Sequence, residues 1–253
     1  MTMKSLGLIA ALALVGAACG TKEAAGPLEP TGPTGRVRFV NLINDPARIP
    51  VNAILENLPF GVNLGYGATT PATLPSPSNA TYSAILTGTR MLVLKKTADT
   101  TVVVGNLTLL ITENTDFTVW ATGGVGGAPV MFFTTIDPNP VPTASQVEIR
   151  IVNYSPAAGA VDVFMTAPNA DLSAATPTAS SPGAPDPLNY AVLAPGTYQV
   201  RVVPAGTAPA ARSTNVVLTL NNVVLAGGTG RTIVIADRAT GGAPITGFVL
   251  TDR

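Results

Sequence analysis

The side chains able to do chemistry are few, and their types decide more than their spacing. The chain has no histidine and one cysteine in 253 residues. His-based triads, His proton shuttles and most zinc or non-haem iron sites are thereby removed. A single thiol forms neither an intramolecular disulfide nor a thiolate cluster. Asp162 and Asn52 sit at matching places after Pro-containing turns, where their oxygens could meet a ligand or Ca²⁺. No Asp-x-Asp-x-Asp run accompanies either, and the preferred reading is an outward residue on a short strand. Asp45, Asp137, Asp186, Asp237 and Asp252 are scattered beside turns, as local hydrogen bonding favours. Glu56, Glu113 and Glu148 are the glutamates of the body. None has an evident partner for glycoside cleavage by paired carboxylates.

The glycine runs Gly123-Gly124-Val125-Gly126-Gly127 and Gly227-Gly228-Thr229-Gly230 lead into strands rather than helix N-termini, so they read as hairpin loops and not phosphate cradles. A Ser-Lys dyad would need Lys95 or Lys96, and no nucleophile motif supports it. Trp120, Tyr154, Tyr190 and Tyr198 could line a carbohydrate platform. A Trp inside the alternating stretch Asp116 to Thr122, and a Tyr heading a strand after Pro-Gly, fit core packing better. No catalytic, cofactor-binding or metal site is therefore expected.

The elements that would position these residues are strands. Hydrophobic residues make up 46% of the chain and charged residues 11%, with 25 Gly and 23 Pro. That is too apolar for a disordered chain. Short Val, Ile, Leu and Thr runs broken by Gly and Pro are the composition of many strands joined by turns. The formal net charge is zero, which leaves no basic field for nucleic acid.

Residues 1–18 read as a signal peptide: Lys4 supplies a positive start, and Leu6 to Val15 an apolar run too short to span a bilayer. The stretch Leu14-Val15-Gly16-Ala17-Ala18-Cys19 resembles a bacterial lipoprotein lipobox. Ala17, Ala18 and Cys19 match it, whereas Gly16 stands where an aliphatic residue is usual. The resemblance implies acylation of Cys19 and cleavage before it, and acyl chains contribute about 0.8 kcal/mol per buried methylene to membrane binding. Gly20, in place of an Asp that signals inner-membrane retention in some bacteria, favours the outer membrane. Residues 19–35, rich in Gly, Pro, Thr and Ala, read as a flexible tether.

Beyond the tether the chain says one phrase twice. Arg38-Phe39-Val40-Asn41, a turn with Pro46, then Val51-Asn52-Ala53, is matched by Arg150-Ile151-Val152-Asn153, a turn with Pro156, then Val161-Asp162-Val163. Further on, Gly88-Thr89 falls on Gly196-Thr197, Gly126 to Val130 on Gly241 to Ile245, and Asp137 on Asp252. In the first copy, Arg38 between Val37 and Phe39 predicts a strand with one wetted face. In the second, Val147, Ile149 and Ile151 alternating with Glu148 and Arg150 predict a half-buried strand. Gly105-Asn106 is compatible with a hairpin turn between strands at Thr101 to Val104 and Leu107 to Ile111. Strands are likewise expected at Val216 to Leu220 and Val223 to Ala226. Thr69 to Ser78 and Ala167 to Pro187 read as Pro-rich loops.

The residues Arg150, Val152, Asn153, Ser155, Pro156, Ala157, Val161, Asp162 and Val163, followed by Ala194-Pro195-Gly196-Thr197-Tyr198, Val200 and Val202, resemble the DUF4397 family. The first copy is more divergent, with Asn52 for Asp162 and Arg90 for Tyr198. The resemblance implies an extracytoplasmic β-sandwich module and carries no activity. The expected protein is all-β: two tandem immunoglobulin-like β-sandwich domains, at 36–140 and 146–253, after the signal peptide and tether. It is expected to be a non-enzymatic cell-envelope lipoprotein held to the membrane through Cys19. Its modules would act as a surface spacer or bind a protein or glycan partner, and no cofactor is expected. The alternative is a carbohydrate-active enzyme or its glycan-binding accessory.

Overall fold

A computed structural model describes residues 32–71, 81–181 and 183–253. The expected signal peptide, Cys19, the expected tether up to residue 31 and residues 72–78 of the first expected Pro-rich loop lie outside the described residues.

The first half holds β1 (Thr34–Ile43), β2 (Val51–Leu55), β3 (Leu58–Leu64), β4 (Thr69–Thr70), β5 (Ser83–Leu86), β6 (Gly88–Lys96), β7 (Asp99–Ile111), β8 (Asp116–Gly123) and β9 (Val130–Asp137). The second holds β10 (Val147–Tyr154), β11 (Val161–Thr166), β12 (Ala179–Ser181), β13 (Asp186–Pro187), β14 (Ala191–Leu193), β15 (Gly196–Pro204), β16 (Leu218–Leu225), β17 (Thr229–Ala236) and β18 (Thr246–Thr251). The expected tether ends sooner than residue 35, because Thr34 and Gly35 already pair with Leu86 and Ile85 of β5.

Each half is a sandwich of two sheets. The first stacks β4-β1-β8-β9, with β5 also on β1, against β3-β2-β6-β7. The second stacks β13-β10-β17-β18, with β14 also on β10, against β12-β11-β15-β16. The strand order is the same, down to a parallel pair, β1 with β8 and β10 with β17, in an otherwise antiparallel set. Val37, Phe39, Leu92, Leu94, Ile111 and Val119 fill the first core; Ile149, Val163, Val200, Val202 and Ile233 fill the second.

The Asn of the repeated phrase is architectural in both copies. Asn41 Oδ1 accepts the Ile43 amide at 3.0 Å, while its Nδ2 donates to the Leu64 and Gly65 carbonyls at 2.9 and 3.1 Å. Asn153 Oδ1 accepts the Ser155 amide at 3.0 Å, and its Nδ2 donates to the Gly159 carbonyl and Ser181 Oγ, both at 3.2 Å. Asn41 thus ties the end of β1 to the end of β3, and Asn153 ties the end of β10 to the turn that follows it and to β12.

Three expectations are corrected. Gly105-Asn106 is not a turn: β7 runs through it, with Gly105 opposite Leu94 and Asn106 opposite Val93. Asn221-Asn222 likewise lies inside β16. Arg38 and Arg150 do not face water; they are 2% and 3% exposed. The two sheets carrying them pack against each other, so both of their faces are covered, as in a buried parallel sheet. Val40, Leu42 and Trp120 of the first module meet Val152, Tyr154, Val234 and Leu250 of the second in a third apolar cluster.

The glycine at 105 has a packing cause. A Cβ there would lie 2.9 Å from the Phe132 ring of β9. The matching place in the second module holds Leu218, and the place matching Phe132 holds Gly247, whose added Cβ would fall 2.8 Å from Leu218 Cδ2. The modules fill the same gap from opposite sides. Gly105→Leu should therefore cost about 1–3 kcal/mol by overpacking. Gly105→Leu with Phe132→Gly should recover part of that loss, as read by urea unfolding of the single and double variants.

Candidate functional site

The largest concentration of buried charge lies between the modules, and it is built from equivalent residues of the two repeats. Arg38 on β1 and Arg150 on β10 point out of their own sandwiches toward the opposite one. Each donates its Nε to a threonine of the neighbouring parallel strand: Arg38 to Thr118 Oγ1 at 3.1 Å, and Arg150 to Thr232 Oγ1 at 3.2 Å. Each then reaches the terminal aspartate of the other module. Arg150 Nη1 donates to Asp137 Oδ1 at 2.5 Å. Arg38 Nη1 forms an ion pair with Asp252 Oδ1 at 2.9 Å and donates to the Thr251 carbonyl at 2.9 Å. Arg38 Nη2 is also 3.8 Å from Asp137 Oδ2.

The aspartates are held from within their own modules. Asp137 accepts from Tyr82 Oη at 2.8 Å and Thr135 Oγ1 at 2.9 Å, and also from Thr118. Asp252 accepts from Thr232 Oγ1 at 2.6 Å and Tyr190 Oη at 3.1 Å. The tyrosines also lie under the guanidiniums, Tyr82 at 4.6 Å from Arg38 and Tyr190 at 5.2 Å from Arg150. Two positive and two negative groups cancel in a site shielded from water, and the hydroxyls occupy further carboxylate lone pairs. Arg38 Nη2, Arg150 Nη2 and Asp252 Oδ1 are buried without a hydrogen bond, so the condition under which buried ion pairs are tolerated is met only in part.

Charge and burial leave their mark on titration. Burial alone would depress the Arg150 guanidinium, but the charge and hydrogen bond of Asp137, with Tyr190 and Asp252, outweigh it and raise its pKa. Burial pushes the Tyr82 phenol up, with Arg38 opposing and Asp137 and Asp252 adding. Burial also raises Tyr66, Tyr154 and Tyr190.

The rest of the joint is apolar and aromatic. Trp120 is fully buried, 4.9 Å from the Tyr154 ring, and donates its Nε1 to Thr135 Oγ1 at 3.1 Å. The Tyr66 hydroxyl donates to the Asp237 carbonyl. Gly241, at φ +78, receives the Val125 side chain, which a Cβ there would approach to 2.4 Å. The Gly241-Gly242 stretch thus includes a contact surface for the Gly123 to Gly127 loop.

The other candidates from the sequence do not join this cluster. Asn52 Oδ1 accepts from the Asn63 amide at 2.9 Å and Thr97 Oγ1 at 3.0 Å, and Asp162 accepts from Ser180 Oγ at 2.5 Å. These contacts tie Asn52 of β2 to β3 and to the β6–β7 turn, and Asp162 of β11 to β12. Asp45 accepts the Ala47 amide at 3.0 Å and pairs with Arg48 at 3.2 Å. Asp237 ties the turn after β10 to the loop after β17, accepting from Ser155 Oγ at 2.5 Å and from the Gly242 amide at 3.0 Å. Asp186 lies on β13 opposite Asn153. Glu56 and Glu113 sit in the turns after β2 and β7 and Glu148 on β10, Glu56 accepting the Met91 amide at 2.6 Å. Lys95 and Lys96 end β6. Tyr198 donates to the Ala194 carbonyl at 2.8 Å.

Asp137 and Asp252 are therefore not turn-capping residues. Asp137 is the last residue of β9 and Asp252 directly follows β18, and they are 2% and 4% exposed. The signal available in the sequence was their joint recurrence: an Arg and an Asp repeated at matching places in a chain with only 11% charged residues.

The chemistry open to this arrangement is cohesion. Both carboxylates are engaged by guanidinium and hydroxyl groups, and among the described residues no cluster of three His, Cys, Asp or Glu side chains forms. An open depression of about 440 Å³ between β16 and β18 is lined by Leu220, Asn221, Val224 and Phe248, among others, and carries no titratable side chain. The family described as "Domain of unknown function (DUF4397)" matches residues 35–164, which cover the first module and run into β11 of the second. No curated protein matches the chain.

Removing one partner of the cluster should be far worse than removing both. Asp137→Ala leaves Arg150 buried without its carboxylate and should cost about 3–5 kcal/mol. Asp137→Leu combined with Arg150→Met should cost clearly less than Asp137→Ala, as a double-mutant cycle in urea will measure. A phenol whose folded pKa exceeds its unfolded value of 10.0 holds more protons when folded. Its stabilising effect is intact below that pH and is lost as pH climbs beyond it. Stability should therefore stay level with respect to these groups up to about pH 10 and fall above it. The fall should be shallower in Tyr82→Phe.

Proposed function

The chain belongs to the DUF4397 family, and on that premise we propose that it is a non-enzymatic, lipid-anchored protein of the bacterial cell envelope. In this reading both sandwiches are immunoglobulin-like copies of the family's module. Joined as one body, they serve as a surface spacer or as a platform for a protein or glycan partner. The observation that carries the reading is where the chain has put its reactive groups. The arginines, aspartates and threonines that could have formed a polar cleft are spent in the joint between modules. Such a joint makes a stiff two-module unit, which suits a part that holds or presents something at a fixed distance from a membrane.

The anchor rests on the sequence from Leu14 to Cys19 and on the neutral, Gly- and Pro-rich composition. The outer membrane is the favoured location because Gly20 follows the cysteine. A carbohydrate-active enzyme or glycan-binding accessory is less well supported. Trp120 and Tyr154, two of the aromatics that a sugar platform would need, are buried between the modules.

Replacing Cys19 with Ala tests the anchor. The wild-type protein should fractionate with membranes and incorporate labelled fatty acid, and the variant should move to the soluble fraction without label. Membrane retention of the variant with unchanged electrophoretic mobility would refute the anchored reading.

A further inference from the structure

The two modules treat the outer face of their second sheet differently. In the second module the connections β11–β12 and β15–β16 are long, spanning residues 167–178 and 205–217. They fold over the sheet and seal Phe164, Leu172 and Val203 into a small core of their own. Arg212 lies 5.2 Å from the Phe164 ring centre and donates to the Ala175 carbonyl at 2.8 Å. Arg201, on the covered face, donates to the Ala170 carbonyl at 2.5 Å.

In the first module the same two connections are the tight turns Glu56-Asn57 and Thr97-Ala98. Glu56 and Asn57 both take positive φ, 49° and 65°, as the two central residues of a short hairpin turn do. Nothing among the described residues roofs this sheet. The register places Ile54 between Pro59 and Val93, Met91 two residues along β6, and Leu110 diagonal to Met91. Met91 is 55% and Leu110 67% exposed. The apolar strip has a charge at each end. Lys95, opposite Asn52, marks one end, and Glu56, bonded to the Met91 amide, marks the other. Neither is in an ion pair among the described residues.

A strip that is positive at one end, apolar in the middle and negative at the other is complementary to itself after a half-turn. Met91 and Lys95 are separated by about 13 Å along the strand, at ~3.3 Å per residue. Two such sheets stacked face to face about 10 Å apart bring Lys95 of each copy over Glu56 of the other, with the Ile54, Val93 and Met91 side chains between them. We propose that this face is an isologous contact between two copies of this chain. Four strands about 4.8 Å apart over that ~13 Å length give a footprint of roughly 250 Å² per copy. That is well under the ~800 Å² of a standard stable interface, so the contact is reversible and depends on concentration. It does not depend on acylation at Cys19.

Sedimentation velocity on the full chain carrying Cys19→Ser, from micromolar to millimolar concentration, tests this. The sedimentation coefficient should rise with concentration, and Met91→Glu should abolish the rise while leaving the thermal melt unchanged. Lys95→Glu and Glu56→Lys should each weaken self-association by about tenfold. Mixing the Lys95→Glu chain with the Glu56→Lys chain should restore it, because each then meets the opposite charge on its neighbour. A coefficient that stays constant over the whole range, a rise that survives Met91→Glu, or a mixture no stronger than its components would overturn the proposal.

Discussion

Two arginines crossing a module boundary to meet each other's aspartates are the constraint on which the rest of this structure depends. Taking a guanidinium and a carboxylate out of water costs several kcal/mol each, and the attraction between them offsets this only when geometry and hydrogen bonding are good. Here the cost recurs at matching places and is offset in part by the same devices each time, with Nη2 of each arginine left without a hydrogen bond. A threonine fixes the guanidinium edge, a tyrosine ring covers it, and a terminal aspartate arrives from the other sandwich. Neither module alone contains a complete set. Arg38 without the second module would lose its Asp252 partner, and Arg150 without the first would lose Asp137. The joint is therefore where the chain stops being two domains in series and becomes one body.

Much of the fold was legible in the sequence, for a physical reason. Strand period, turn residues and repetition are local signals, and they identified two all-β modules with matching elements. The limits were equally physical. Alternation along β10 reveals that Glu148 and Arg150 face away from Val147 and Ile149, but not what lies on the far side. Water and an equivalent sheet both accept arginine, and only the second requires a matching aspartate from 13 or more residues away. Asp137 and Asp252 looked like turn residues because they do stand at strand ends. Gly105-Asn106 looked like a turn because glycine inside a strand usually marks an interruption. Its cause is Phe132, a residue on another sheet, which a local reading of the strand does not reveal.

The candidate site was least legible because its elements are spread over β1, β8, β9, β10, β17 and β18. Of the residues singled out beforehand, Asp137, Asp252, Trp120, Tyr154 and Tyr190 are part of the joint, and Asn52 and Asp162 make contacts with neighbouring strands and turns. The aromatics were correctly weighed as packing residues, but the space they fill lies between sandwiches rather than inside one. Their polar ends explain their placement. Trp120 needs an acceptor for its indole N–H and finds Thr135, and Tyr82 and Tyr190 find the aspartates.

The repeats have diverged in a way that follows from these contacts. Where faces are joined, differences come in matched sets. Trp120 with Thr135 in the first module corresponds to Val234 with Leu250 in the second: a large donor with a hydroxyl acceptor in one, two aliphatic groups in the other. Across the joint Trp120 meets Tyr154, whereas Val234 and Leu42, which occupy the symmetry-related places, are both aliphatic. Inside the sandwiches Gly105 with Phe132 corresponds to Leu218 with Gly247. A change at either member of such a set leaves a void, a clash or an unpaired polar group unless its neighbour changes too. The outer faces carry no such tie between the modules. There the second module carries a roof from residues 167–178 and 205–217, while the first ends its strands in two-residue turns, with Met91 exposed and Ile54 and Val93 half-buried on the open face.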